Sequence, residues 1–348
     1  MTRVLVVRPD NNGDVLLAGP ALRALAADAE HVTLWVGPRG RLGASSLPGV
    51  DEVVVRTLPW IDPAPAAVDG DWLEETVAFA SGLRADRAFV LSSFHQSPLP
   101  TALCLRAAGV PWIGATSEYY PGSLLDLRHR IDDDVHEVER SLDLVAAAGH
   151  RLPDGDDGRL RVRPTTRPNP VPAGAPYVVV HPGASVPARA WSPERNRAAV
   201  GALEAAGWRV VVTGAPDETD LTRTVAAGAR TTLDLGGRCD WEELTVVLRD
   251  AAAVVVGNTG PAHLAAAVGT PVVSLYAPTV PAVRWRPWQV PHELLGQQDI
   301  GCAGCRAQVC PVAGHPCIGR VVPDDVLAAV TRLTGGVADP VAPAEVPA

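Results

Sequence analysis

Apolar runs that end in glycine-containing turns and continue into helical patterns recur along the chain. The clearest example is the stretch from residue 254 to 278, VVVGNTGPAHLAAAVGTPVVSLYAP. Val254–Val256 suits a strand buried on both faces, and Pro261 fits the first position of a short helix, where a missing N–H does no harm. The turn offers backbone N–H groups and the positive end of a helix dipole to an anion. It predicts a phosphate or diphosphate site, although an ordinary βαβ turn that binds nothing has the same chemistry.

The first half of the chain shows the same alternation of apolar runs and helical patterns. Arg3–Val7 predicts a buried strand, and the spacing over 15–27 predicts one helix after it. Further strands are predicted at 31–36, 53–56, 87–91 and 109–114, with helices at 72–83 and 133–148. Residues 119–130 are irregular and fit either a loop over a cleft or a solvated loop. Alternating strands and helices predict an α/β fold.

The second half begins after a change of composition. Residues 152–176 are rich in Pro, Gly, Asp and Arg, which is typical of an interdomain linker. Beyond it Gly183, Gly214 and Gly260 each follow a predicted strand, and we expect the three turns to line one crevice for a nucleotide-linked ligand. The sequence therefore predicts two βα-repeating halves, 1–151 and 177–334, followed by a disordered Pro/Ala-rich tail at 335–348.

Composition narrows the classes of function. All 30 basic residues are Arg, and 39 acidic residues give a net charge of −9. Because no basic stripe stands out, we expect no nucleic-acid partner. No apolar window approaches the length of a membrane span, and the N-terminus turns polar too early for a signal peptide. Six Cys do not form a disulfide framework in a chain of 348 residues, so we expect a cytoplasmic, reduced protein with at most peripheral membrane contact.

Asp14 is the most informative residue near the N-terminus. It lies in the first turn of the predicted helix that follows the first strand. In one interpretation it only stabilises the helix dipole. In the other it is a functional carboxylate at the carboxyl edge of a parallel sheet, where α/β proteins place their chemistry.

Four motifs, in the order expected, resemble the heptosyltransferase family. They are GDVLLAGPALRAL, HPGA followed by ARAWSPER, TGAPDE, and GNTGPAHLAAAVGTPVVSLYAP, and the resemblance extends from Val4 to about Val330. It implies a GT-B architecture, in which two Rossmann-like domains face each other across a cleft. The acceptor would bind mostly to the first domain and the nucleotide-sugar donor to the second. The resemblance also implies transfer of a heptose from ADP-heptose with inversion, onto lipopolysaccharide core or another acceptor, without a cofactor.

The resemblance also implies two catalytic residues. Asp14 falls where the family has its general-base aspartate, which an inverting transfer needs at the acceptor hydroxyl. Arg189 falls near the family's phosphate-binding lysine, and a guanidinium can hold a diphosphate with two hydrogen bonds although its geometry differs. Alternatively, Arg189 only pairs with a surface acid.

A further set of residues is implied to bind the donor. Glu218 matches the acid that holds the ribose hydroxyls, and Asn258 stands where the family usually has Asp, so an acceptor oxygen is kept but the charge is lost. A lone helical histidine such as His263 is otherwise a capped core residue, but its place in an anion-binding helix favours function. The implied donor-binding residues are Gly13, Gly183, Ser185, Glu218, Asn258, Thr259, Gly260 and His263.

A Cys/His segment near the C-terminus is a separate signal, with the pattern C-x2-C-x4-C-x4-H-x-C. Thiolates and imidazole suit Zn²⁺, but the uneven spacers match no standard zinc ribbon. We expect no metal, and free or oxidisable thiols in a loop are the favoured interpretation. The weak candidates for ligands are Cys302, Cys305, Cys310, His315 and Cys317.

The leading hypothesis is an inverting glycosyltransferase that moves a heptose or related sugar from a nucleotide-sugar donor. Its acceptor is left open between a glycan, a glycolipid and a small molecule. One alternative is a non-catalytic protein that binds a sugar nucleotide or glycan, and another is a GT-B-like sugar-nucleotide epimerase. Asp14 argues against pure binding, because binding alone needs no base.

Overall fold

The computed structural model describes residues 2–62, 64–131 and 134–336. The chain forms two compact units. The first contains the chain through Pro164 together with Val283–Trp288, and the second contains Thr165–Ala282 and the chain from Gln289 onward. The division falls inside the range 152–176 that the sequence marks as a linker, and a short later segment returns to the first unit. Of the expected tail, only Gly335 and Gly336 are among the described residues.

The first unit is built on a parallel sheet. Its strands are β1 (Arg3–Val7), β2 (His31–Val36), β3 (Glu52–Val55), β4 (Arg87–Val90), β5 (Trp112–Thr116) and β6 (Leu127–His129). They lie in the order β3-β2-β1-β4-β5-β6, which is the Rossmann order. Its helices are α1 (Asn12–Leu17), α2 (Gly19–Ala26), α3 (Arg41–Ser46), α4 (Gly70–Gly82), α5 (Leu99–Ala107) and α6 (Glu137–Ala147).

Two details of the first unit differ from the sequence predictions. The single helix predicted over 15–27 is two helices, because Pro20 has no N–H to continue the hydrogen-bond ladder of α1. The stretch 119–130, predicted to be irregular, contains the edge strand β6, which pairs with β5.

The second unit repeats this architecture. Its strands are β7 (Tyr177–His181), β8 (Arg209–Val212), β9 (Leu233–Asp234), β10 (Ala253–Gly257), β11 (Val272–Leu275) and β12 (His292–Leu295), in the order β12-β11-β10-β7-β8-β9. Its helices are α7 (Pro193–Ala205), α8 (Thr219–Ala226), α9 (Trp241–Arg249), α10 (Gly260–Ala267), α12 (Pro316–Gly319) and α13 (Pro323–Thr334). Helix α11 (Ala282–Trp285) leads into the segment that belongs to the first unit.

Apolar strands form the centre of each unit. Every residue of β7 and β10 is buried, as expected for strands that helices cover on both faces. Val180, Val212 and Val255 lie in one core cluster with residues of α7 and α13. In the part of the chain that the structure describes, no helix is both long enough and apolar enough to cross a membrane. The predicted α/β class is confirmed.

Candidate functional site

The first unit holds a polar cluster where the neighbouring strands β1 and β4 end. These strands lie at the point where the strand order reverses, the usual place for a ligand site in such a sheet. Arg8 follows β1 directly and is 1% exposed. Its guanidinium donates to the carbonyl oxygen of Leu91 at 3.1 Å and to Ser93 Oγ at 3.0 Å, both just after β4. Arg8 therefore connects the C-terminal ends of β1 and β4 by hydrogen bonds.

Three carboxylates surround the Arg8 guanidinium. The ion-pair distances are 3.0 Å to Asp10, 3.5 Å to Glu137 and 3.6 Å to Asp14. Burial opposes the charge of Arg8, but the three carboxylates together outweigh this effect and raise the pKa of Arg8. Burial also raises the pKa of Glu137. The side chains of Asp10 and Glu137 are 9% and 1% exposed against 26% for Asp14, so Asp14 is the carboxylate of the three that a ligand can best reach.

Asp14 lies in α1, as predicted, but its contacts extend beyond that helix. Its Oδ1 accepts a hydrogen bond from Trp285 Nε1 at 2.9 Å as well as the ion pair with Arg8. Asn11 is the N-cap residue of α1 without a side-chain capping bond, and Gly13 is buried in the same helix. A helix-dipole role alone does not account for two donors that come from outside α1.

In the second unit the three glycine turns lie side by side. Strands β8, β7 and β10 are consecutive neighbours in the sheet, and both pairs are parallel. Gly214, Gly183 and Gly260 follow these three strands in that order, so their turns share one edge. The structure brings these turns together as the sequence predicts. They lie where the strand order of the second sheet reverses, between β10 and β7.

Glu218 lies against the Gly183 turn. Its Oε2 accepts from the Ala215 N–H at 2.8 Å and lies 3.8 Å from His181 Nε2. A Cβ on Gly183 would overlap the Glu218 carboxylate, so a glycine is required there for the carboxylate to keep its place. Burial lowers the pKa of His181, whose Nδ1 lies 3.0 Å from Thr213 Oγ1. Glu218 is thereby held beside an imidazole whose burial favours the uncharged form.

Arg189 ends a short 3-10 turn, Pro187–Arg189, on the loop that follows β7. Its Nε donates to Thr279 Oγ1 at 3.2 Å, and among the described residues of the second unit no carboxylate lies within 4.0 Å of its guanidinium. The alternative pairing with a surface acid is therefore not seen there. The side chain is half-buried, which leaves part of it accessible to an anion.

Asn258 is turned into the protein. It is 4% exposed, and its Nδ2 donates to Tyr276 Oη at 3.2 Å. That hydroxyl donates in turn to the carbonyl oxygen of Pro281 at 3.3 Å, and burial raises the pKa of Tyr276, which keeps its proton in place. An aspartate at 258 has no N–H to donate. Asn258, which stands where the resemblance implies an Asp, therefore has a hydrogen-bond partner for its amide N–H in Tyr276.

Helix α10 begins at Gly260, one residue before the start that the sequence predicts at Pro261. Thr259 is its N-cap residue in extended backbone and makes no side-chain capping bond, so it leaves the first N–H groups of the helix without a side-chain acceptor from that residue. Gly260 and Pro261 start the helix, and His263 is 4% exposed one turn in. Ser185 is exposed after β7. Of the eight residues implied to bind the donor, Gly13 lies in the first unit and the other seven lie in the second.

The Cys/His segment packs against the loop around Arg189. The Ala188 N–H donates to the Gln308 carbonyl oxygen at 2.9 Å, and the Arg306 N–H donates to that of Thr279 at 2.9 Å. His315 adopts left-handed backbone geometry with φ of 46°, at the start of α12. Among the described residues, no three His, Cys, Asp or Glu side chains are grouped to hold a metal ion, and the weak zinc candidates Cys302, Cys305, Cys310, His315 and Cys317 are all described.

Some residues of these clusters were missed by sequence reasoning. Arg8 and Asp10 carry a usable signal, because two charges directly follow an apolar strand, and His181 lies within the HPGA motif. Glu137 and Trp285 carry no such signal. Their proximity to Arg8 and Asp14 depends on contacts between residues more than a hundred positions apart.

The model of glycosyltransferase family 9 (heptosyltransferase) matches residues 84–315. Lipopolysaccharide heptosyltransferase 3 of Escherichia coli is 36% identical over 119 residues, which cover 33% of this chain and 35% of that protein. The chain thus aligns with about a third of the length of that relative. Lipopolysaccharide heptosyltransferase 1 of E. coli K12 is 26% identical over 294 residues, with 81% of this chain and 89% of that protein covered.

A solved structure also has a similar fold. The E. coli heptosyltransferase WaaC, in complex with ADP-2-deoxy-2-fluoro heptose, superposes with a TM-score of 0.67 at 21% identity. The superposition covers 95% of this chain and 99% of that one. This likeness confirms the predicted GT-B fold class.

Proposed function

The chain belongs to glycosyltransferase family 9, the heptosyltransferases, and on that basis we propose that it transfers a heptose or related sugar from a nucleotide-sugar donor to an acceptor hydroxyl. The transfer inverts the anomeric centre. The observation that carries the donor assignment is the single edge of the second sheet at which three glycine turns, Glu218 and the Arg189 loop converge. The predicted resemblance to this family is confirmed by the family model and the relatives.

The donor we propose is ADP-heptose, bound to the second unit. The N-terminus of α10 supplies N–H groups and a positive dipole end to the diphosphate, and Arg189 adds a cation from the neighbouring loop. Glu218 accepts hydrogen bonds from the ribose hydroxyls. The solved WaaC structure with a fluorinated ADP-heptose supports this choice of donor.

The acceptor we propose binds to the first unit, beside Asp14. The acceptor oxygen forms a bond to the anomeric carbon as the bond from that carbon to the diphosphate oxygen breaks. The hydroxyl proton passes to Asp14, and the electron pair of the broken bond leaves with the diphosphate. Arg189 and α10 stabilise the charge that develops on the leaving ADP.

A glycan or glycolipid is the acceptor class that the relatives support, since both are named lipopolysaccharide heptosyltransferases. The proposal also keeps the domain assignment made from the sequence, with 1–151 on the acceptor side and 177–334 on the donor side. It names no cofactor, because the reaction exchanges one C–O bond for another.

The test is a product assay with the purified protein, ADP-heptose and a panel of glycan, glycolipid and small-molecule acceptors. ADP release and mass spectrometry of the products are measured with and without acceptor. We expect acceptor-dependent ADP release and a product heavier than the acceptor by one heptose residue. Binding without turnover across the panel would favour a non-catalytic protein, and an altered donor without acceptor would favour an epimerase.

A further inference from the structure

In the described part of the chain, the side chains that hold the Asp14 carboxylate contact one of its two oxygens, Oδ1. Trp285 Nε1 donates to Oδ1 at 2.9 Å, and Arg8 Nη2 lies 3.6 Å from the same oxygen. Among the described residues none donates a hydrogen bond to Oδ2. We infer that Trp285 is a positioning residue for Asp14. The indole fixes Oδ1 of Asp14, so that Oδ2 faces the acceptor hydroxyl. This inference rests on the proposed function, in which Asp14 is the general base.

Trp285 is placed by contacts of its own segment. The indole is 8% exposed and packs edge-on against Phe94, with ring centroids 5.5 Å apart. The neighbouring Arg284 stacks over the same ring, 4.1 Å from its centroid, and its Nε donates to Asp134 Oδ1 at 2.7 Å. The indole N–H is therefore in position independently of its bond to Asp14.

The far end of the segment is anchored as well. His136 Nε2 lies 2.9 Å from the carbonyl oxygen of Arg286, and the Trp288 ring lies 4.5 Å from the His136 ring. Trp288 Nε1 donates to the Gly158 carbonyl oxygen at 2.9 Å. Contacts on both sides of Trp285 thus hold residues 283–288 on the first unit, although the chain before and after them belongs to the second.

An indole suits this task for a chemical reason. Its N–H is a donor only and stays neutral, so it holds the carboxylate without competing for the proton that the base accepts. Arg8 is equally fixed, because it is buried and bound to Leu91 and Ser93. A base with one oxygen fixed loses less rotational freedom when the acceptor binds, and this favours the reactive geometry.

The experiment is a double-mutant cycle of Trp285→Phe and Asp14→Asn. The phenyl ring keeps the apolar contact with Phe94 but removes the N–H. We expect kcat to fall roughly 10-fold, as for loss of a hydrogen bond to a charged group, while KM for both substrates and ADP affinity change less than about twofold. In the Asp14→Asn background the same substitution should cause no further loss, because its effect passes through Asp14.

Trp60→Phe is the matched control. Trp60 is in the same unit, and its Nε1 donates to Thr101 Oγ1 at 3.0 Å without contact to Asp14. It loses one indole hydrogen bond in the same way and should keep wild-type kcat. Wild-type kcat in Trp285→Phe, or equal losses in both backgrounds of the cycle, would overturn the inference.

An NMR measurement separates the inference from the proposed function. The indole N–H signal of Trp285 is identified by its absence in Trp285→Phe, or by selective labelling if that variant does not fold. Asp14→Asn should shift this signal, because the acceptor loses its charge. An unchanged signal overturns the inference even if Asp14 is the base. If Asp14→Asn keeps full turnover while the signal shifts, the contact exists but the proposed base is wrong, and the inference is overturned with it.

Discussion

In the second unit, the Glu218 carboxylate lies in the space beside Gly183 that a Cβ on residue 183 would fill. The backbone of Gly183 does not have a positive φ, so its lack of a side chain is needed for space and not for conformation. The relationship connects the HPGA motif with the TGAPDE motif, through two residues that lie more than thirty positions apart in the sequence.

Gly183→Ala should therefore weaken ADP binding. The methyl group displaces Glu218, and loss of a hydrogen bond to a charged group costs about 1.5–3 kcal/mol, or roughly 10- to 100-fold in Kd. Isothermal titration calorimetry with ADP measures the change. Gly201→Ala is the control, because a Cβ at that site in α7 meets open space, and it should leave ADP affinity unchanged. Wild-type ADP affinity in Gly183→Ala would show that Glu218 does not contribute to nucleotide binding.

Asp14→Asn should affect the chemical step more than binding. Removal of a general base lowers kcat by roughly 10²- to 10⁴-fold, while the proposed ADP site in the second unit should be unaffected. Steady-state kinetics and calorimetry with ADP check both parts. If Asp14 serves only the helix dipole, the variant will keep most of its turnover and lose some stability, which thermal unfolding would reveal.

Arg189→Ala should weaken ADP binding by about 1.5–3 kcal/mol and also slow turnover, because in the proposed function the guanidinium stabilises the diphosphate before and during its departure. Arg189→Lys keeps the charge without the bidentate geometry and should fall between the wild type and the Ala variant. Calorimetry provides the affinities. Arg197→Ala removes an exposed arginine of α7 and serves as the charge-matched control. An ADP complex with the diphosphate against the Gly13 turn would instead place the donor on the first unit.

Arg23 and Asp156 should make a pH-dependent contribution to stability. Arg23 Nε and Nη2 donate to the Asp156 carboxylate at 2.6 and 2.9 Å, and this pairing lowers the Asp156 pKa to about 2. Because the folded pKa lies below the unfolded value of about 3.9, the contribution is present above pH 4 and is lost as the pH falls towards 2. Asp156→Asn should cost roughly 2 kcal/mol at pH 7 and progressively less below pH 4.

Urea unfolding at pH 7, 4 and 3 measures this dependence. Asp157→Asn is the control, since the neighbouring carboxylate is far more exposed and should give a much smaller change at every pH. A difference between wild type and Asp156→Asn that does not shrink on acidification would contradict the assignment. The same pair anchors the start of the predicted linker to α2, so residues around 156 belong to the first unit.

Much of the fold could be predicted from the sequence because its signals are local. A strand covered by helices on both faces is apolar along its buried part, which is why the runs Val254–Val256 and 4–7 were identified. The edge strand β6 was missed because Leu127–His129 is only three residues long and is defined by pairing with β5. The break between α1 and α2 was missed although Pro20 marks it.

By itself the sequence determined the α/β class, the three glycine turns and the motifs that lead to Asp14 and Arg189, since each depends on residues close together in the chain. Tertiary structure alone decided that β8, β7 and β10 are neighbours, and that Trp285 lies beside Asp14 across 271 positions. It also decided that Tyr276 provides the partner for the Asn258 amide. Such contacts form only when separate strands and helices pack together. The sequence around one residue of such a pair therefore does not indicate which distant residue it will contact.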